Sequence, residues 1–214
     1  MEASRRTASP RGRASRPSAR EARVTVAGPC RVLLIGMMGS GKSTIGRLLS
    51  EATGWPYIDN DELVREFHGA TARQILAERG EAPMRAAESE ALGRGVRAPA
   101  PTVIGVAAGT ILEAANRERV RTGGIVVWLR ADAAAIESRA MGGDHRPWLD
   151  TVGGSWIRET VTEREPLYAS IADTVIDTGT KTVDESTAKL LAWLGTVAAC
   201  HPAVEGRVRR RLYR

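Results

Sequence analysis

Short apolar, β-rich runs that alternate with helical stretches predict an α/β fold, a five-stranded parallel sheet with helices on both faces. Two further observations connect that fold to a phosphate ligand. A Gly-rich turn, Gly36 to Thr44, joins the first run to the first helix, and two carboxylates, Asp59 and Asp61, close the second run.

The first run, Arg31 to Ile35, carries Val32, Leu33, Leu34 and Ile35 without alternation, as strands covered on both faces do. Tyr57 to Asp59, Thr102 to Ala107, Ile125 to Leu129 and Thr174 to Ile176 complete the set of strands. Helical spacing of apolar residues predicts helices over Ser43 to Ala52, Asp61 to His68, Thr71 to Glu78 and Ala82 to Arg97. It does the same over Glu113 to Thr122, Ala133 to Met141, Trp156 to Arg164 and Val183 to Leu194. Asp61 and Thr71 read as N-caps, and Gly54, Gly69 and Gly80 as stops. The stretch Gly142 to Ser155, with four Gly and one Pro, has the composition of a mobile surface loop, a lid at about 142–155.

The 214 residues are enough for one sizeable core and too few for two large domains. With 43% hydrophobic and 26% charged residues the chain reads as globular. Its formal charge of +6 suggests a nucleic-acid partner until the charges are placed. Residues 1 to 23 carry +5 and residues 201 to 214 carry +4, leaving −3 on the body between them. That body holds no basic stripe interleaved with aromatics, which argues against nucleic acid as a partner. Residues 1–29 read as a disordered basic extension, with an organelle transit peptide or a mis-set start left open; 30–198 read as the folded domain and 199–214 as a basic tail. Cys30 and Cys200 form no CxxC pair, so neither a zinc site nor a disulfide framework is implied. The absence of a long apolar run argues against a membrane span, and a monomer in the cytoplasm is the expectation.

Gly36, Gly41, Lys42 and Ser43 satisfy GxxxxGK[ST], entered by a strand and left by a helix. In such a P-loop the backbone N–H groups of Gly36, Met37, Met38, Gly39, Ser40 and Gly41 turn inward on phosphates, and the helix adds its positive end. Lys42 supplies a charge to the β- and γ-phosphates, Ser43 a hydroxyl for Mg2+, and Thr44 a further hydrogen bond; ATP with Mg2+ is the expected ligand pair. Asp59 and Asp61 sit where ligands bind an open α/β sheet. One carboxylate near the metal and one near an acceptor hydroxyl would divide the work of phosphoryl transfer, with Asp61 orienting the acceptor or taking its proton. The plainer alternative is that Asp61 only caps the following helix.

The ordered set GMMGSGKSTIGRLL, YIDNDELV, Met84-Arg85 with Glu88, Arg146-Pro147, and Arg164 followed by Pro166-Leu167-Tyr168 resembles the shikimate kinase family, from about Val32 to Asp177. The resemblance implies a nucleoside-monophosphate-kinase-like P-loop NTPase fold and transfer of the γ-phosphate of ATP to a hydroxyl of shikimate. It further implies that Lys42 and Ser43 meet phosphate and magnesium, Asp59 lies beside the metal, and Asp61 contacts the acceptor. By the same resemblance Arg85 and Arg164 hold the acceptor carboxylate, Arg146 is the catalytic arginine of the lid, and Arg139 stacks on adenine. Planar guanidinium forks suit carboxylate and phosphate, and Glu88, three residues after Arg85, is placed to hold one of them.

The chain departs from the family on the acceptor side. Three glycines usually lie against the substrate ring; here the stretch is Ala107-Ala108-Gly109, with Ala108 and Gly109 the expected contacts. Leu76 and Met84 stand where Phe is common. These changes leave two alternatives beside shikimate: a kinase of a different polyol, cyclitol or acid, and a nucleotide-binding regulator without turnover.

Overall fold

Apolar runs without alternation can be satisfied only in the middle of a layered sheet, and they lie there. The computed structural model describes residues 30–141 and 153–198. The N-terminal extension, the segment 142–152 with Arg146 and Trp148, and the basic tail lie outside the described residues. The strands are β1 (Arg31–Ile35), β2 (Tyr57–Asp59), β3 (Thr102–Gly105), β4 (Ile125–Arg130) and β5 (Thr174–Asp177), in the order β2-β3-β1-β4-β5, every pair parallel.

Alternate residues of each strand serve opposite faces. Leu33, Ile35, Ile104, Val126 and Trp128 meet α5 (Ala114–Gly123) and α7 (Gly153–Ile171) through Val120, Ile157, Val161, Tyr168 and Ile171. Val32, Leu34, Val103, Val127 and Leu129 meet α1 (Lys42–Thr53) and α8 (Val183–Ala198) through Ile45, Leu49, Leu190 and Leu194. The helix α6 (Ala133–Met141) adds Ile136 to the first face. A third, smaller cluster joins α2 (Asn60–His68), α3 (Ala72–Arg79) and α4 (Glu81–Gly95) through Val64, Ile75, Met84, Ala87 and Ala91. Two cores hold the sheet, and the third carries a wall beside its carboxyl edge.

The expected α/β sheet and its five strands are borne out, with differences at the ends of elements. β3 stops at Gly105 rather than Ala107, and the chain then turns through a 3-10 segment, Thr110–Leu112, that the sequence did not announce. α7 begins at Gly153, so residues 153–155 are helical rather than part of a loop. It also continues past Arg164, through Pro166, to Ile171. A proline inside a helix loses one hydrogen bond and crowds the carbonyl four residues back. The helix continues because Tyr168 and Ile171, 1% and 7% exposed, are part of the core.

The start of α2 corrects the reading of Asp61 as a cap. Asp59, in extended conformation, is the N-cap, and its side chain accepts the Asp61 N–H. Asp61 sits in the first turn with its own carboxylate uncommitted to capping. Thr71 does cap α3, in a box with Gln74, and Gly54, Gly69 and Gly80 follow the ends of their helices. Among the described residues no helix is long and apolar enough to cross a membrane.

Gly46 of α1 packs where a Cβ would overlap the Tyr57 ring. Gly46→Ala is therefore expected to destabilise the fold by about 1–3 kcal/mol, the usual range for overpacking. Urea unfolding should show it as a lower midpoint at unchanged slope.

Candidate active site

The phosphate loop leaves β1 at the carboxyl edge of the sheet and enters α1 at Lys42. Gly36 and Gly41 adopt φ of 142° and 93°, and any side chain at Gly36 would run into the Leu129 carbonyl. Gly41 is the N-cap of α1, which has no side-chain cap and no acidic residue in its first turn. The first N–H groups of that helix are thus left for a ligand, and an anion suits both the donors and the helix dipole. The Lys42 ammonium donates to the Gly36 and Met37 carbonyls, each at 2.9 Å, and so folds back over the loop.

The far end of the sheet braces the loop. The Thr178 hydroxyl donates to the Ser40 carbonyl at 3.0 Å. Arg139 donates to the Gly39 carbonyl at 3.0 Å and also to the Thr178 carbonyl. Met37 turns its side chain into the core, whereas Met38 lines the cleft. Ser40 is fully buried, and its hydroxyl has no hydrogen-bond partner among the described residues.

Across a narrow gap stands Asp59. Its Oδ2 accepts the Ser43 hydroxyl at 2.9 Å and the Tyr57 hydroxyl at 2.8 Å, while its Oδ1 accepts the Asp61 N–H at 3.0 Å. Burial and the adjacent Asp59 charge raise the Tyr57 phenol far above its ordinary range, so it remains a donor. Asp61 opens into the cleft and is exposed there. Loss of solvent and the Asp59 charge push its carboxyl upward, with Lys42 opposing.

The other wall comes from α4 and α7. Arg85 is held by Glu88 at 2.9 Å and by Glu81 at 3.1 Å. Glu88 is 6% exposed; burial pushes its carboxyl up, against the pull of Arg85. Arg164 lies close enough to the Glu88 carboxyl and the Tyr168 hydroxyl to pull the pKa of each downward, against burial. The Tyr168 hydroxyl donates to the Ala108 carbonyl at 2.9 Å, and its ring stacks on Trp128, so the loop after β3 is tied to the core. The glycine retained there, Gly109, is the position where a Cβ would overlap the guanidinium of Arg85 that Glu81 and Glu88 hold.

These parts enclose one cleft of about 1010 Å³. It brings together Lys42, Ser43, Thr44, Asp59, Asp61, Arg85, Ala108, Gly109, Arg139 and Arg164, with Leu76 and Met84 as apolar lining. Gly36 and Met37 stand behind that lining rather than in it, and Arg146 lies outside the described residues. Trp156, Thr178 and Lys181 also line the cleft and were not singled out from the sequence. For Thr178 the signal was its place just after a strand, on the edge where α/β sheets bind ligands. Tyr57 stands two residues before Asp59 on one strand face, a signal strand periodicity offers, whereas Tyr168 carries none, because its partner lies 60 residues away.

A phosphate loop that faces carboxylates and arginines across one cleft defines a P-loop phosphotransferase. The family model for shikimate kinase matches residues 38–195. The chain is 38% identical over 170 residues to the shikimate kinase of Moorella thermoacetica, covering 78% of this chain and 97% of that one. It is 37% identical to the shikimate kinase of Symbiobacterium thermophilum, over 75% and 93% of the two chains. The structure of shikimate kinase from Acinetobacter baumannii in complex with shikimate superposes with a TM-score of 0.73 at 29% identity, over 79% of this chain and 94% of that one. The chain belongs to the shikimate kinase family.

Because the fold raises the Asp61 pKa, the folded state holds that proton more tightly than the unfolded chain. The penalty on stability is absent below the unfolded value of 3.8, grows as pH rises toward the folded pKa, and is complete above it. Asp61→Asn is expected to raise the thermal midpoint at pH 7, with the difference shrinking as pH falls toward 3.8. Scanning calorimetry across pH 3.5 to 7 checks the sign.

Proposed function

We propose that the chain transfers the γ-phosphate of ATP to a hydroxyl of shikimate, with the triphosphate on the loop Gly36 to Thr44 and the acceptor between Asp61, Arg85 and Arg164. One observation carries the reading: the uncapped start of α1 and the Arg85–Arg164 wall face each other across a single cleft, with Asp61 between them. An anion-binding helix end suits phosphates, and a guanidinium pair suits the carboxylate of the acceptor.

In this reading the acceptor oxygen attacks the γ-phosphorus, its proton passes to Asp61, and the bond to the β-phosphate oxygen breaks to release ADP. A carboxylate whose pKa is raised is a better proton acceptor than an ordinary one. Lys42 leaves the loop carbonyls for the phosphates, and the N–H groups at the start of α1 take the charge that develops on them. Glu81 and Glu88 keep Arg85 oriented before the acceptor arrives. Arg139 is assigned to stack on adenine and Arg146 to the transferring phosphate, both from the family motifs.

Ser43 and Asp59 offer a neutral and an anionic oxygen donor beside the loop, a set that suits Mg2+ shared with substrate phosphates. Among the described residues no cluster of three His, Cys, Asp or Glu could cage an ion alone. When bound there, Mg2+ would neutralise charge between the β- and γ-phosphates. The kinase body is assigned to residues 30–198, with the segment at about 142–155 as its lid, acting as a monomer in the cytoplasm.

Coupled ADP release on adding shikimate tests the activity. Asp61→Asn is expected to lower kcat by about 10²- to 10⁴-fold with little change in the KM for ATP. Arg85→Ala and Arg164→Ala should each raise the KM for shikimate by about ten-fold or more, the loss expected for a charged hydrogen bond to a carboxylate. Activity that persists in the double variant Asp61→Asn, Arg85→Ala would overturn these assignments.

A further inference from the structure

Tyr57 belongs to no phosphate-binding motif, yet the fold makes room for it on two sides. A Cβ at Gly46 of α1 would overlap its ring, and a Cβ at Gly105 of β3 would overlap its hydroxyl. The ring therefore fills a slot between helix and sheet, and phenylalanine would fill that slot equally well. What phenylalanine lacks is the hydroxyl, which donates to Asp59 Oδ2 at 2.8 Å. The same oxygen accepts the Ser43 hydroxyl at 2.9 Å, and the other oxygen accepts the Asp61 N–H at 3.0 Å.

We infer that Tyr57 is a positioning residue for the metal-nucleotide complex: its hydroxyl fixes the plane of the Asp59 carboxylate, which in turn fixes the direction of the Ser43 oxygen. The inference rests on the reading of Ser43 and Asp59 as the magnesium side of the cleft. The carboxylate is tied on one oxygen by a backbone donor and on the other by two hydroxyls that approach from opposite elements, α1 and β2. Without Tyr57, Ser43 is the one side-chain donor left to Oδ2 among the described hydrogen bonds, and both groups are free to turn together. Donors around a metal-site carboxylate are worth about 10- to 100-fold in metal affinity. Tyr57 differs from Asp61 and Arg85 in that it serves the nucleotide and not the acceptor.

The test compares the full chain with Tyr57→Phe by calorimetric titration with ADP, in excess Mg2+ and in EDTA. For the wild type, Mg2+ should strengthen ADP binding. The variant is expected to lose about ten-fold of that strengthening, with ADP affinity in EDTA and the KM for shikimate unchanged. Equal strengthening in variant and wild type overturns the inference. So does an equal loss of ADP affinity in Mg2+ and in EDTA, which would make Tyr57 a packing residue. Absence of any Mg2+ effect on the wild type overturns the metal reading of Ser43 and Asp59, and this inference with it.

Discussion

The Asp59 carboxylate accepts the Asp61 N–H on one oxygen and the hydroxyls of Ser43 and Tyr57 on the other. By the first bond it caps α2, and by the second pair it ties the end of β2 to the first turn of α1. The three donors come from neighbouring elements that meet only because β2 and β1 flank β3 in the sheet order. Asp61 owes its place to the same group: with Asp59 as the cap, its side chain is left to face the cleft. An exposed cap is worth about 0.5–2 kcal/mol. The larger consequence here is geometric, since the spacing between the phosphate loop and Asp61 depends on it.

The acceptor wall is built on a different principle. Arg85 is half-buried, and a guanidinium in that position is tolerated because Glu81 and Glu88 neutralise it and fix its fork. Glu88 is itself buried and held by that pairing, with Arg164 adding to it. The wall is thus charge-balanced as it stands, and in the proposed reading an acceptor carboxylate would meet a guanidinium whose orientation Glu81 and Glu88 already fix. The departures Ala107 and Ala108 lie beside this wall. Gly109, the glycine that remains, is the one whose replacement would dislodge Arg85. The family's shape is therefore kept at the point where a side chain would disturb the charge network, and relaxed at its two neighbours.

Much of this molecule was legible in its sequence for a local reason. A strand buried on both faces must be apolar throughout, so β1 and β4 declared themselves, and the phosphate loop declared itself because its glycines, Lys42 and Ser43 are contiguous. The ordered motifs placed Asp59, Asp61, Arg85 and Arg164 in one cleft before any coordinates. What the sequence mislaid were boundaries set by long-range packing. α7 runs through Pro166 because Tyr168 and Ile171 reach the core, and the cap of α2 is Asp59 because the backbone turns one residue earlier than the apolar pattern does.

Tyr168 marks the limit of the sequence reading most clearly. Tyr57 shares a strand face with Asp59, two residues on, but nothing near Tyr168 in the chain foretells that it will hold the Ala108 carbonyl, 60 residues away. Chain-local patterns fix which residues must be buried and which loop must bind phosphate, because those are properties of a few adjacent side chains. Which hydroxyl meets which partner across the fold is decided only when elements distant in sequence are laid side by side, since a hydrogen bond such as the 2.9 Å one from Tyr168 to Ala108 leaves no tolerance that a pattern of burial could encode.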